Sequence, residues 1–170
     1  DLVDMLPDRI DGTMLDVACG TGLVIREAAA AGKLGPNAKI TGVDLSPLMV
    51  EGAKKLVADP RASFLVGSGQ EMALIGSETQ DVVTCHQGLN FFPDPVKGLQ
   101  EFYRVLKKGG ILVFAVWRSI PHNPGRGESE VGHSEKWLKS MFAAFQAFVK
   151  GLNSQRASSI RGFTLGESEK

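Results

Sequence analysis

The amino-acid sequence predicts an α/β fold built on a doubly wound, mostly parallel sheet of about five strands. Three observations predict it. Short runs of strand length alternate with longer helical patterns along most of the chain. The short runs are apolar nearly throughout, which is the pattern of strands covered by helices on both faces of a sheet. The longer segments begin and end on residues that cap or stop helices.

The first strand is Met14 to Ala18, and the Ala-rich stretch Leu23 to Ala31 follows it as a helix with no breaker before Gly32. A second strand, Lys39 to Val43, leads to Ser46-Pro47, an N-cap followed by a first-turn proline. The helix they open runs to about Ala58, where Asp59-Pro60 stops it. Ser63 to Val66 and Asp81 to Cys85 are the third and fourth strands. From Asp94 to Leu106 a helix places Val96, Leu99, Phe102, Val105 and Leu106 on one stripe; Lys107-Lys108-Gly109-Gly110 closes it before the fifth strand, Gly110 to Val116. Beyond Trp117 the pattern changes: Ile120 to His133 has loop composition, Glu135 to Lys150 is helical with Trp137, Phe142 and Phe145 among its apolar residues, and Gly151 to Lys170 is polar. The expected division is a ligand-binding core over 1–118 and a loop with a helical segment over 119–170, the start of a substrate-side region.

At 170 residues the chain can bury most of the surface its unfolded form exposes, which fits a single core. Its formal net charge is zero, and Lys and Arg are scattered, so nucleic acid is excluded as an expected partner. No stretch has the length of uninterrupted apolar sequence that spans a bilayer, and the chain opens on Asp1-Leu2-Val3-Asp4 instead of a basic segment and an apolar run. Cys19 and Cys85 stand far apart with no CxxC spacing, which argues against a zinc site or a disulfide framework. Together these features predict a cytoplasmic protein with no metal.

Leu15-Asp16-Val17-Ala18-Cys19-Gly20-Thr21-Gly22 ends the first strand and opens the first helix. Gly20 and Gly22 let the backbone turn tightly and let a ligand approach where a side chain would block it. A dinucleotide fingerprint would place a third small residue at position 25, and the chain has Ile25. Asp16 would repel a pyrophosphate and attract a ligand carrying an ammonium and a sulfonium. S-adenosylmethionine (SAM) carries both. Asp44 ends the second strand in Gly42-Val43-Asp44-Leu45-Ser46, at the separation where a carboxylate can accept from both ribose hydroxyls.

Leu15 to Gly22, Gly42 to Ser46 and the run Asp81 to Trp117 closely resemble the class I SAM-dependent methyltransferases, in particular the ubiquinone/menaquinone-biosynthesis-like branch, type 11. The resemblance covers roughly residues 10 to 125 and implies a Rossmann-like methyltransferase fold. It implies that Asp16, Ala18, Gly20 and Gly22 border the methionine part, that Asp44 takes the ribose, and that Leu45 and Met49 flank the adenine. Where the family commonly has an Asp after the third strand, this chain has Gly67-Ser68-Gly69-Gln70, so Ser68, Gly69 and Gln70 are the expected adenine contacts, without charge assistance. His86 borders the cofactor and is the candidate general base; Gln87, Asn90 and Phe91 are the expected acceptor contacts. The partner so implied is a small-molecule methyl acceptor, with a lipophilic one suggested by the branch.

Each feature also has a plainer reading. Asp16 and Asp44 could be turn carboxylates and Gly20 and Gly22 an ordinary strand-to-helix turn, but the paired spacing favours a ligand. His86 could shape the pocket wall, since a sulfonium already makes its methyl electrophilic. Phe91-Phe92 could be core, and Cys19 lacks a base or cationic partner to make it a nucleophile. Two other functions compete: an NAD-binding oxidoreductase, against which Ile25 and Asp16 weigh, and a SAM-binding scaffold without catalysis. The family's sheet closes with two further strands, for which the stretch beyond Lys150 leaves little room. Phe163-Thr164-Leu165-Gly166-Glu167 resembles the segment leading into the helix before those strands, so the chain is expected to be shortened at its C-terminal end.

Overall fold

The five apolar segments lie side by side in a computed structural model that describes residues 2–117 and 163–166. They form β1 (Thr13–Val17), β2 (Lys39–Asp44), β3 (Ala62–Val66), β4 (Gln80–His86) and β5 (Leu106–Trp117). The helices between them are α1 (Leu23–Ala30), α2 (Pro47–Leu56) and α3 (Pro95–Val105). Their boundaries follow the local chemistry. Ser46 caps α2 by accepting from Met49 N at 3.4 Å, and Asp94 caps α3 by accepting from Val96 N at 3.0 Å and Lys97 N at 3.1 Å. In β5 the residues Lys107 to Gly110 bulge away from β4, with Gly109 at φ 79°, and regular pairing starts at Ile111 opposite Val82.

A sixth strand, β6 (Phe163–Gly166), pairs in parallel with β5 through Phe114↔Phe163 to Trp117↔Gly166. The sequence places this segment before a helix; its backbone instead adds to the sheet. The predicted loop and helix over 120–150 lie outside the described residues.

The sheet order is β3-β2-β1-β4-β5-β6, every pair parallel. Chain order reverses between β1 and β4, so the crevice of a doubly wound sheet opens above the C-terminal ends of these strands. Alternation along each strand sorts the core into two layers. Met14, Ile40, Val82 and Val113 face one layer with Val24, Ile25 and Ala28 of α1 and Val50 and Ala53 of α2. Leu15, Val43, Val83 and Leu112 face the other with Leu99, Phe102 and Val105 of α3. Burial of both layers is the main force holding the sheet, at roughly 25 cal/mol per Å² of apolar surface. Arg104 fastens the β3–β4 connection by donating to the carbonyls of Met72 and Ile75, each at 3.0 Å, while Glu101 pairs with it. Among the described residues, no helix is long and apolar enough to cross a membrane.

Candidate functional site

Above β1 the chain leaves the sheet through Ala18, Cys19 and Gly20. Cys19 N donates to Val43 O at 3.1 Å, so the turn leans across the end of β2. Two residues of this turn, Ala18 at φ 54° and Gly20 at φ 54°, lie in the left-handed region. Above β4, Gln87 also takes φ 62°, after which Gly88–Phe91 make one tight helical turn. A Cβ at Gly88 would collide with that of Ala18, so the two turns touch and glycine is what lets them. Non-glycine residues held at positive φ on both facing turns mark this end of the sheet as a strained site.

The turn is tied to Asp44. Gly20 N donates to Asp44 Oδ2 at 2.8 Å and Ser46 N donates to Oδ1 at 2.9 Å. A carboxylate has about four acceptor positions, so two remain, enough for a vicinal diol. Asp16 is 1% exposed, although it is an acid inside a sheet. Its Oδ1 accepts from Thr84 Oγ1 at 2.7 Å, and its Oδ2 is buried with no hydrogen-bond partner among the described residues. Burial pushes its carboxyl up to about 7; the Thr84 bond opposes the rise and the nearby charge of Asp44 adds to it. That mutual influence places the two acids in one neighbourhood. Burial, Asp16 and Asp44 also raise the Cys19 thiol, which removes it as a nucleophile.

The arrangement can therefore hold a cation against Asp16 and a diol against Asp44, with Gly20 between them. A Cβ at Gly20 would meet nothing within 4 Å, so space for a ligand lies over that turn. The third expected wall follows β3. Ser68 Oγ accepts from Gln70 N at 3.2 Å and Gln70 Oε1 accepts from Asp94 N at 3.3 Å, while Gly69 packs on Val17 and Phe92. Leu45 and Met49 stand exposed at the mouth of α2.

On β4, His86 is half-buried and shares a face with Thr84, while Gln87 N donates to Ala115 O at 2.8 Å. Asn90 is 5% exposed and Phe91 is 73% exposed, so of the two only Phe91 turns outward. The residue that sequence reasoning missed is Thr84. Its signal was present as the one hydroxyl within the apolar run Val82-Val83-Thr84-Cys85, but its partner lies 68 positions away. A concavity of about 610 Å³ is lined by Arg26, Val57 and Arg61 and by neither Asp16 nor Asp44.

Comparison with known proteins bears on family and fold. A family model described as a methyltransferase domain matches residues 15–114. The demethylmenaquinone methyltransferase of Chlorobaculum parvum is 40% identical over 111 residues, covering 65% of this chain and 43% of the relative. The ubiquinone biosynthesis O-methyltransferase of Xanthomonas oryzae is 31% identical over 123 residues, covering 71% of this chain and 49% of the relative. The chain thus spans less than half the length of either. A crystal structure of a SAM-dependent methyltransferase from Aquifex aeolicus superposes with a TM-score of 0.66 at 21% identity, over 81% of this chain and 72% of that one, a likeness of fold. Neither alternative function is favoured by these relationships. With its matched segment running from within β1 to within β5, more than half of the chain, the chain belongs to the methyltransferase-domain family.

Proposed function

We propose that this chain binds SAM and transfers its methyl group to a small, lipophilic acceptor in the cytoplasm. The observation that carries the reading is the buried Asp16 with one oxygen unpartnered, next to Asp44 fixed on the glycine turn. A buried carboxylate oxygen without a donor is costly unless a cation meets it, and the SAM ammonium is such a cation. When bound, SAM supplies a sulfonium-activated methyl for in-line displacement by the acceptor's nucleophilic atom, leaving S-adenosylhomocysteine.

The residues divide the work. Asp16, Ala18, Gly20 and Gly22 hold the methionine end, and Asp44 accepts from the ribose hydroxyls. Leu45 and Met49 give apolar cover to the adenine, whose polar edge meets Ser68, Gly69 and Gln70. Ser68 Oγ retains a proton and a second lone pair beyond its bond to Gln70. His86 is the candidate to take a proton from the acceptor, and Gln87 and Phe91 border the acceptor, whereas Asn90 is buried. Exposed Phe91, in the turn that follows β4, favours an apolar acceptor. The two relatives' names, with menaquinone and ubiquinone chemistry, support the same class.

The test is transfer of a tritiated methyl from SAM to a panel of quinols, phenols, thiols and amines. Label is expected in an apolar member of the panel, and Asp44→Ala should cut the rate by about a hundredfold, as losing charge-assisted bonds does. SAM binding with no transfer to any acceptor would instead favour a scaffold.

A further inference from the structure

Asp16 and Thr84 are direct cross-strand partners on β1 and β4, and both side chains are buried. The Thr84 hydroxyl has two acceptors in reach: Asp16 Oδ1 at 2.7 Å and the Leu15 carbonyl at a long 3.5 Å. On the other flank the residue paired with Asp16 is Gly42, which has no side chain to offer. A Cβ there would meet the Phe64 ring at 2.6 Å and Cys19 Sγ at 2.9 Å, so no larger donor fits. Among the described residues Asp16 therefore receives one donor, from β4, and keeps Oδ2 without a partner.

We propose that Thr84 is a positioning residue: it fixes one oxygen of Asp16, leaves the other for the ammonium of the cofactor, and so links cofactor capture to the ionisation of Asp16. The inference rests on the SAM-binding reading above. A hydroxyl suits this task because it can both donate and accept. With Asp16 ionised, Thr84 donates to it. With Asp16 neutral, the carboxyl can donate to Thr84 Oγ1 while the hydroxyl proton turns to the Leu15 carbonyl. The groups facing Asp16 are Thr84 and Cys85 from β4, Asp44 from β2 and Cys19 from the turn. Among the described residues no Lys, Arg or His contributes to its shift, so none of them supplies a counter-charge there. Burial brings the change of state near neutral pH, at about 7.

The experiment is calorimetric binding of S-adenosylhomocysteine, which keeps the ammonium, to the 170-residue chain from about pH 6 to about pH 9. Wild type should lose affinity on the acid side. Thr84→Val should bind about tenfold more weakly at neutral pH, with the acid limb moved to higher pH, and Thr84→Ser should restore both. Asp16→Asn should bind weakly with no acid limb, and it carries the test if Thr84→Val does not fold by its thermal melt. A Thr84→Val profile overlaying wild type, a Thr84→Ser profile displaced as far as Thr84→Val, or an acid limb surviving in Asp16→Asn overturns the role of Thr84 and Asp16. Wild type that binds no S-adenosylhomocysteine at any pH overturns the SAM reading itself.

Discussion

At the scale of single residues, Asp16 ties the stability of this molecule to pH. Its carboxyl is raised from an ordinary 3.8 to about 7 because burial removes the water that would stabilise the charge. Between those values the unfolded chain is ionised while the folded chain keeps its proton. Stability therefore falls as pH rises through that window and levels off above it, a loss of roughly 4 kcal/mol. Urea unfolding of ligand-free protein at a series of pH values should show this decline in wild type and not in Asp16→Asn. Equal slopes would mean that Asp16 is not titrating there. Asp44 differs because two backbone N–H groups already meet it, so it organises the turn before any ligand arrives.

At the scale of elements, the turn between β1 and α1 separates folding from binding. Gly22 has φ 79°, and a Cβ there would press on Val57 Cγ2 at 2.5 Å, so Gly22→Ala combines backbone strain with a clash in the core. Gly20 has φ 54° with open space around it, so Gly20→Ala carries strain alone, about 1 to 2 kcal/mol. Denaturation and binding should part company: Gly22→Ala loses most of its stability, whereas Gly20→Ala folds with a modest loss and binds S-adenosylhomocysteine more weakly because its methyl enters the cradle. Gly20→Ala binding as wild type does would remove the ligand from that turn. These two glycines, like Asp44, were legible because turn conformation and strand-end position are local properties. The caps at Ser46 and Asp94 were legible for the same reason. Thr84 was not, since its meaning depends on parallel pairing of β4 with β1, and register is a tertiary property. Ala18 and Gln87 also gave no sign of their left-handed backbones, which are imposed by the two turns packing together.

At the scale of the whole molecule, alternation of strand and helix predicted the order of elements, and near-continuous apolar strands predicted cover on both faces. The five core strands and three helices fall within a few residues of their expected bounds. β6 was misread because four residues, Phe163 to Gly166, have no periodicity long enough to tell a strand from a helix approach. Its place is decided by the free edge of β5. The sheet's switch point between β1 and β4 brings two acids and two strained turns to one crevice, and that convergence is the basis of the assigned chemistry. A crystal structure of the chain with S-adenosylhomocysteine tests it most directly. The ammonium is expected within hydrogen-bond reach of Asp16 Oδ2 and both ribose hydroxyls on Asp44; a nucleoside bound elsewhere, with Asp16 Oδ2 still unpartnered, would overturn the assignment.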